Sequence, residues 1–236
     1  MSANRLTWHG HSTFQIFTPD CSVIIDPFFS GNPRAISSWE DIPPPDIVLV
    51  THLHADHAGD AAALCRRFKA RLGAVTGTAA SVKGVPPEQI LNGVGFNIGG
   101  TLLEKGLSIT LTEATHTSDA GTPTGFILTL PDGFTIYHAG DTGIFPGMKL
   151  WGELYPLDLA LLPMGGVFTM DARQAALAAK LLKTREVVPM HWGTFPVLAQ
   201  ETETFGALLQ KTAPGCRFTP MSIGQSISLD RRTPLA

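Results

Sequence analysis

The sequence predicts a layered α/β (α+β) fold, and three observations predict it. Short runs rich in β-branched and aromatic residues recur between turn-forming residues. They group in the first third of the chain and again from Leu107 through Tyr137. Alanine- and leucine-rich helical stretches lie among them and near the end. Strands distributed in this way suit two sheets packed face to face with helices outside. The chain has 236 residues, 44% of them hydrophobic, enough for a substantial core, and 1–236 reads as one domain. It shows no internal repeat, low-complexity tract or flexible linker.

The first strands are expected at Arg5 to Trp8, Thr13 to Phe17, Val23 to Ile25 and Ile47 to Val50, each bounded by Gly, Pro, Asp or Asn. Gly31 to Pro45 is a stiff connection that carries Trp39 and the Pro43-Pro-Pro45 run. Ala58 to Ala70 has helical propensity through Ala61-Ala-Ala-Leu-Cys-Arg-Arg-Phe68. Thr169 to Leu182 is a clearer helix, with Thr169 as the expected N-cap, Asp171 favouring the first turn, and Lys180 and Lys183 suiting the last. Another helix is expected over Glu201 to Lys211.

With Lys and Arg totalling 17 against 20 Asp and Glu, the formal charge is −3, which points neither to disorder nor to a nucleic-acid partner. Cys21, Cys65 and Cys216 are widely spaced and odd in number, fitting reduced thiols better than a disulfide framework. The amino terminus enters a strand-like run without an apolar signal segment, and no stretch approaches the ~20 apolar residues that span a bilayer. A soluble, cytoplasmic protein with no membrane partner is expected.

Chemistry concentrates in Thr51-His-Leu-His-Ala-Asp-His57, where three imidazoles and a carboxylate occupy the positions from His52 to His57. Neutral imidazole and carboxylate oxygen suit zinc, manganese or iron, and the lack of a neighbouring thiolate argues against a structural zinc knuckle. On an extended or tightly turning backbone, His52 and His54 share a face and can grip one ion. Asp56 and His57 point elsewhere, which invites a second ion and needs further donors. Three later strand-like runs supply them at their carboxyl ends: Ile109 to His116, Phe134 to Asp141, and Glu186 to His191.

His52-x-His54-x-Asp56-His57, His116, Asp141 within His138-Ala-Gly-Asp-Thr142, and His191 resemble, in this order, the five-motif pattern of the metallo-β-lactamase superfamily. Asp26 in Ile24-Ile-Asp-Pro27 matches its remaining motif. The resemblance runs from about residue 5 to about 229. More narrowly, Gly10-His-Ser12, Asp26-Pro-Phe-Phe-Ser-Gly-Asn-Pro33, Asn97-Ile-Gly-Gly100 and Val188-Pro-Met-His-Trp-Gly-Thr-Phe195 are similar to a group of prokaryotic metal-dependent hydrolases. That group resembles the L-ascorbate-6-phosphate lactonases.

The resemblance implies a four-layer αββα sandwich with metals at one edge between the sheets. It implies that His52, His54 and His116 hold one divalent ion and Asp56, His57 and His191 a second, with Asp141 bridging. Zinc is expected, with manganese or iron as alternatives. A water shared by two such ions becomes a hydroxide nucleophile near neutral pH, so no serine or cysteine nucleophile is required. Relatives often self-associate, which admits a homo-oligomer without locating an interface.

Asp56 and His11 are the residues read as serving catalysis directly. For His11 the roles of acid, substrate ligand and hydrogen-bonding support of a ligand all stay open. Asp26 is expected to bond loop amides and support the ligand loop, and His9 and His138 to serve packing or ligand support. Phe28, Phe29, the Gly31 to Pro45 loop and Ile144 to Met148 either wall a substrate pocket or pack in the core.

The leading function is hydrolysis of a lactone, ester or related acyl small molecule. The alternatives are a phosphodiesterase or nuclease, and a metal-binding scaffold without turnover. A diiron oxygen-reducing role is also conceivable, but no flavin-binding domain accompanies the ligands. The nuclease reading lacks a basic groove, since Arg34, Lys83, Lys105 and Lys149 are scattered. The scaffold reading is opposed by the presence of all seven ligands.

Overall fold

Residues 4–230 are described in the computed structural model. The first three apolar runs form β1 (Arg5–Gly10), β2 (Thr13–Phe17) and β3 (Ser22–Ile25), paired antiparallel with Trp8 opposite Phe14 and Phe14 opposite Ile25. β4 (Ile47–Leu49) and β5 (Arg71–Gly73) extend this sheet in parallel, and β13 (Ser226–Ser228) closes its other side against β1. Its parallel strands are apolar on both faces because both faces are covered. Ile25, Ile47 and Leu49 join the core between the sheets, while Ile24, Val48 and Leu72 pack outward with Ala61, Leu64 and Cys65.

That outer layer is supplied by the segment between β4 and β5. A single turn, α1 (Ala55–Ala58), is followed by α2 (Ala61–Phe68), so the predicted helix over Ala58 to Ala70 is shorter than expected. Asp60 separates the two, its carboxylate accepting from Phe29 N at 2.7 Å and Ser30 N at 2.9 Å, and Lys69 ends α2 at φ 60°. α3 (Thr76–Ser81) follows β5.

The second sheet starts with the antiparallel strands β6 (Thr101–Glu104), β7 (Leu107–Glu113), β8 (Thr124–Thr129) and β9 (Thr135–His138). It continues in parallel through β10 (Leu159–Pro163), β11 (Glu186–Met190) and β12 (Arg217–Phe218). α4 (Gly147–Leu154), α5 (Ala172–Leu182) and α6 (Glu203–Thr212) form its outer layer, α5 packing on β10 and between the other two. The result is the expected four-layer α/β (α+β) sandwich. No helix among the described residues is long and apolar enough to cross a membrane, and the three cysteines are free.

The start of α5 corrects the predicted N-cap. Asp171, not Thr169, caps the helix, its Oδ1 accepting from Gln174 N at 2.8 Å. Residues 169 and 170 instead tie down a loop, with Met170 N donating to Thr142 O at 3.0 Å. Lys183 lies one residue past the helix at φ 52°. Asp171→Ala is expected to cost about 1 kcal/mol through the lost cap. A thermal melt should register it as a fall of about 2–4 °C.

The topology sends several strand ends to one place. β3 and β4 run parallel and end shortly before Asp26 and Thr51, while β9 and β11 run parallel to β10 and end shortly before Asp141 and His191. Carboxyl ends of parallel strands are where α/β sheets present ligand-binding loops.

Candidate metal centre

The cluster begins at the end of β4. His52 Nε2 and His54 Nδ1 face each other at 3.0 Å, and His116, from the loop after β7, completes a group whose candidate ligand atoms lie within 4.8 Å of one another. Asp56 and His57 lie on the one-turn α1. They join His11 and His191 in a second group of the same tightness. His52, His57 and Asp141 form a third, so the groups adjoin. Asp141 sits between: its Oδ2 is 2.9 Å from His191 Nε2, 3.3 Å from His57 Nε2 and 3.7 Å from His116 Nε2.

Loop pairing holds these side chains in place. Thr115 N donates to Thr142 Oγ1 at 2.9 Å and Gly143 N to Thr115 O at 3.0 Å, joining the His116 loop to the Asp141 loop. A Cβ on Gly140 would stand 2.4 Å from Thr124 O, and one on Gly165 only 2.0 Å from His191 O, so glycine is required at both close approaches. Three residues other than glycine take left-handed backbone at the site: His11 (φ 52°), Asp26 (φ 49°) and His191 (φ 56°).

Asp26 is fully buried and sets the direction of two imidazoles. Its Oδ1 accepts from Thr51 N at 2.8 Å, and its Oδ2 accepts from Thr51 Oγ1 and from His57 Nδ1, both at 2.7 Å. The Thr51 hydroxyl, having given its hydrogen to Asp26, accepts from His52 Nδ1 at 3.0 Å. Both imidazoles therefore offer Nε2 to the cluster, the arrangement in which a carboxylate orients a metal-binding histidine. The expected support of the ligand loop by Asp26 thus takes a specific form. Thr51 was not anticipated in it; only its place before His52 marked it.

His138 and His9 fall outside the cluster. His138 donates Nε2–H to Ser12 O at 2.9 Å and accepts from Gly140 N at 3.1 Å through Nδ1, which fixes a neutral ring beside the Asp141 loop. His9 donates to Gln15 Oε1 at 3.1 Å. His11 points into the second group, its Nε2 3.2 Å from Asp56 Oδ2 and its Nδ1 2.9 Å from Thr194 Oγ1. Phe28 and Phe195 stand edge-on to it, each with centroids 5.7 Å away.

The expected pocket walls divide. Phe28 borders the site, whereas Phe145 joins the larger hydrophobic core, and Phe29, Trp39 and Ile42 pack in the outer core beside α2. The Gly31 to Pro45 connection is drawn onto that face, where Pro43 O accepts from Gln15 Nε2 at 2.8 Å.

The electrostatics keep three of these rings uncharged. Burial pushes His52 down to about 3 and His11 to about 4, and it also lowers His116. For Asp26, Asp56 and Asp141, burial opposes ionisation, but neighbouring histidines outweigh it and all three stay anionic. His57 is the exception. Burial works against its charge, yet Asp141 and Asp26 on its two sides raise its pKa well above the ordinary value.

The donor set fits divalent metal. It is all imidazole nitrogen and carboxylate oxygen, and buried His57 Nε2 and Asp141 Oδ1 have no hydrogen-bond partner.

Known proteins agree with this architecture. A family model described as the beta-lactamase superfamily domain matches residues 22–192. A UPF0173 metal-dependent hydrolase of Nitratidesulfovibrio vulgaris is 58% identical over 229 residues, which is 96% of this chain and 96% of the relative. Another, from Methanopyrus kandleri, is 43% identical over 210 residues, covering 85% of this chain and 89% of the relative. Among solved structures, Igni18, a novel metallo hydrolase from Ignicoccus hospitalis, superposes with a TM-score of 0.87 at 38% identity, over 98% of this chain and 100% of that one. The protein thus belongs to the metallo-β-lactamase superfamily, as a metal-dependent hydrolase of the UPF0173 group.

Proposed function

We propose that the protein is a binuclear hydrolase of a lactone, ester or related acyl small molecule. The observation that carries this reading is the pair of adjoining donor groups with one carboxylate between them. His52, His54 and His116 would hold one ion, Asp56, His57 and His191 the second, and Asp141 both. Zinc is the proposed metal, and manganese or iron share its taste for nitrogen and oxygen donors.

The chemistry that two divalent ions supply when bound is acidification of a shared water to a hydroxide nucleophile and polarisation of the acyl oxygen. The chain's own residues supply position and charge. Asp26 and Thr51 fix the tautomers of His57 and His52, Asp56 and Asp141 bring anionic oxygen, and Phe28 and Phe195 shield one side of the second group. The leading electrostatic influences on His11, His52, His57 and Asp141 are other histidines and carboxylates, with no Lys or Arg among them. One domain spanning 1–236 and a cytoplasmic location complete the proposal.

Turnover by the metal-loaded protein, with His54→Ala as control, should be measured on lactones, sugar-phosphate lactones, thioesters and phosphodiesters. Preferential acyl cleavage is expected. Preferential phosphodiester cleavage would replace this reading with the nuclease-like one.

Metal loading should also be coupled to protons. Metal-free His57 carries a proton between Asp26 and Asp141, and an ion bound at Nε2 must displace it. Apparent affinity for the second ion should therefore rise with pH, by about tenfold per unit below the raised pKa of His57, one proton leaving per ion. Calorimetry in buffers of different ionisation enthalpy would count that proton; none released would contradict the assignment of His57.

A further inference from the structure

We propose that His11 is itself a ligand of the second metal ion, so that this ion is held by His11, Asp56, His57 and His191 in addition to Asp141. The inference rests on the binuclear reading and deepens it, because the superfamily ligand pattern matched along the sequence has no position before Asp26.

The backbone shows that the imidazole is aimed rather than merely accommodated. β1 and β2 are joined by a tight turn with Gly10 at φ 106° and His11 at φ 52°. A left-handed residue other than glycine costs about 1 kcal/mol and persists only where its surroundings hold it. Here the His11 carbonyl accepts from Trp8 Nε1 and from His191 N, both at 3.1 Å, so the turn is tied to the residue that carries His191. The ring is completely buried and lies against His191 with centroids 4.1 Å apart.

Hydrogen-bond bookkeeping then selects the tautomer. His11 Nδ1 is 2.9 Å from Thr194 Oγ1, and that hydroxyl gives its hydrogen to Trp192 O at 3.3 Å. A hydroxyl has a single hydrogen, so Thr194 accepts from His11 Nδ1–H, and in the neutral ring Nε2 keeps its lone pair. Nε2 faces Asp56 Oδ2 at 3.2 Å, within the group that includes His57 and His191. Two lone pairs at that distance repel, and a proton or a metal ion between them relieves the contact; the convergence of His57 and His191 on the same point favours the metal ion. Adjacent ligand atoms on one zinc, with bonds of about 2.0–2.1 Å, stand about 2.9–3.4 Å apart across four- to six-coordinate geometries. The His52 Nε2 to His54 Nδ1 separation of 3.0 Å in the first group is of the same kind.

The decisive variant is His11→Asn, because asparagine accepts the left-handed backbone while falling short of the metal. Zinc stoichiometry and affinity should be measured by equilibrium dialysis with elemental analysis, in the wild-type background and in His54→Ala, where the first site is disabled. Visible spectra of the cobalt-loaded proteins report the ligands directly. A matching thermal melt and circular dichroism spectrum of metal-free protein would establish that His11→Asn folds.

The expected result is at least about a tenfold weakening of the second zinc, retained in the His54→Ala background, together with altered cobalt bands. Unchanged affinity with unchanged bands would overturn the proposal. Should wild-type protein bind a single zinc, the binuclear reading would fall. The His11 assignment would then stand if His11→Asn weakened that ion and fall if it did not.

Discussion

Asp141→Ala is expected to bind at most one zinc in place of two and to lose at least about a thousandfold in kcat/KM, or ~4 kcal/mol of transition-state stabilisation. The size follows from the position of the carboxylate. Its Oδ2 lies within 3.7 Å of imidazole nitrogens from three different segments of the chain, and its buried Oδ1 has no hydrogen-bond partner. Among the described residues no other carboxylate reaches both donor groups, since Asp56 joins only the second and Asp26 is occupied by Thr51 and His57. Without Asp141, two dications would face each other with one anion fewer between them. Asp141→Asn, which keeps the shape and one oxygen but removes the charge, should fall between the two. Elemental analysis of the purified variants, with turnover on the best acyl substrate, checks both. Retention of two tightly bound ions by Asp141→Ala would remove the bridging assignment.

The candidate ligands are legible in the sequence because four of them fall within the six residues from His52 to His57 and the rest stand where β-runs stop. The run from His52 to His57 states its chemistry without any knowledge of the fold, and His116, Asp141 and His191 acquire meaning from it. Residues that act through hydroxyls carried no such signal. Threonine is an ordinary strand residue, so neither Thr51 nor Thr194 could be told from its neighbours before the loops were assembled.

Two of the helices are weakly encoded for similar reasons. α4 starts behind Pro146, contains Gly147 and Gly152, and is held by Met148 in the core and by Trp151, whose Nε1 donates to Glu113. α3 carries Gly77 and three hydroxyl-bearing residues, so its propensity is weak. The phenylalanines show the opposite limit. Phe28, Phe29 and Phe145 look alike in sequence, yet one borders the candidate centre and the other two enter two separate cores, a sorting made only by tertiary packing.

Asp26→Asn is expected to weaken the second zinc by about 10–100-fold, although Asp26 belongs to neither ligand set. The carboxylate accepts three hydrogen bonds through two oxygens, and an amide leaves only one oxygen for them. If that oxygen faces Thr51 N, the amide NH2 meets His57 Nδ1. The ring must then accept there, its proton moves to Nε2, and the lone pair meant for the metal is blocked. If the amide is turned over, its NH2 meets the buried Thr51 N–H and an unpaired donor costs about 1–3 kcal/mol of stability. Either orientation also strips His57 of one of the two carboxylates that raise its pKa, so the proton released on metal binding should diminish along with affinity. Ordinary local support for the loop would lower the melting temperature without touching that proton count. Calorimetric zinc titration beside a thermal melt therefore separates a residue that orients the imidazole from one that only holds the chain, and wild-type affinity with full proton release would assign Asp26 to the latter.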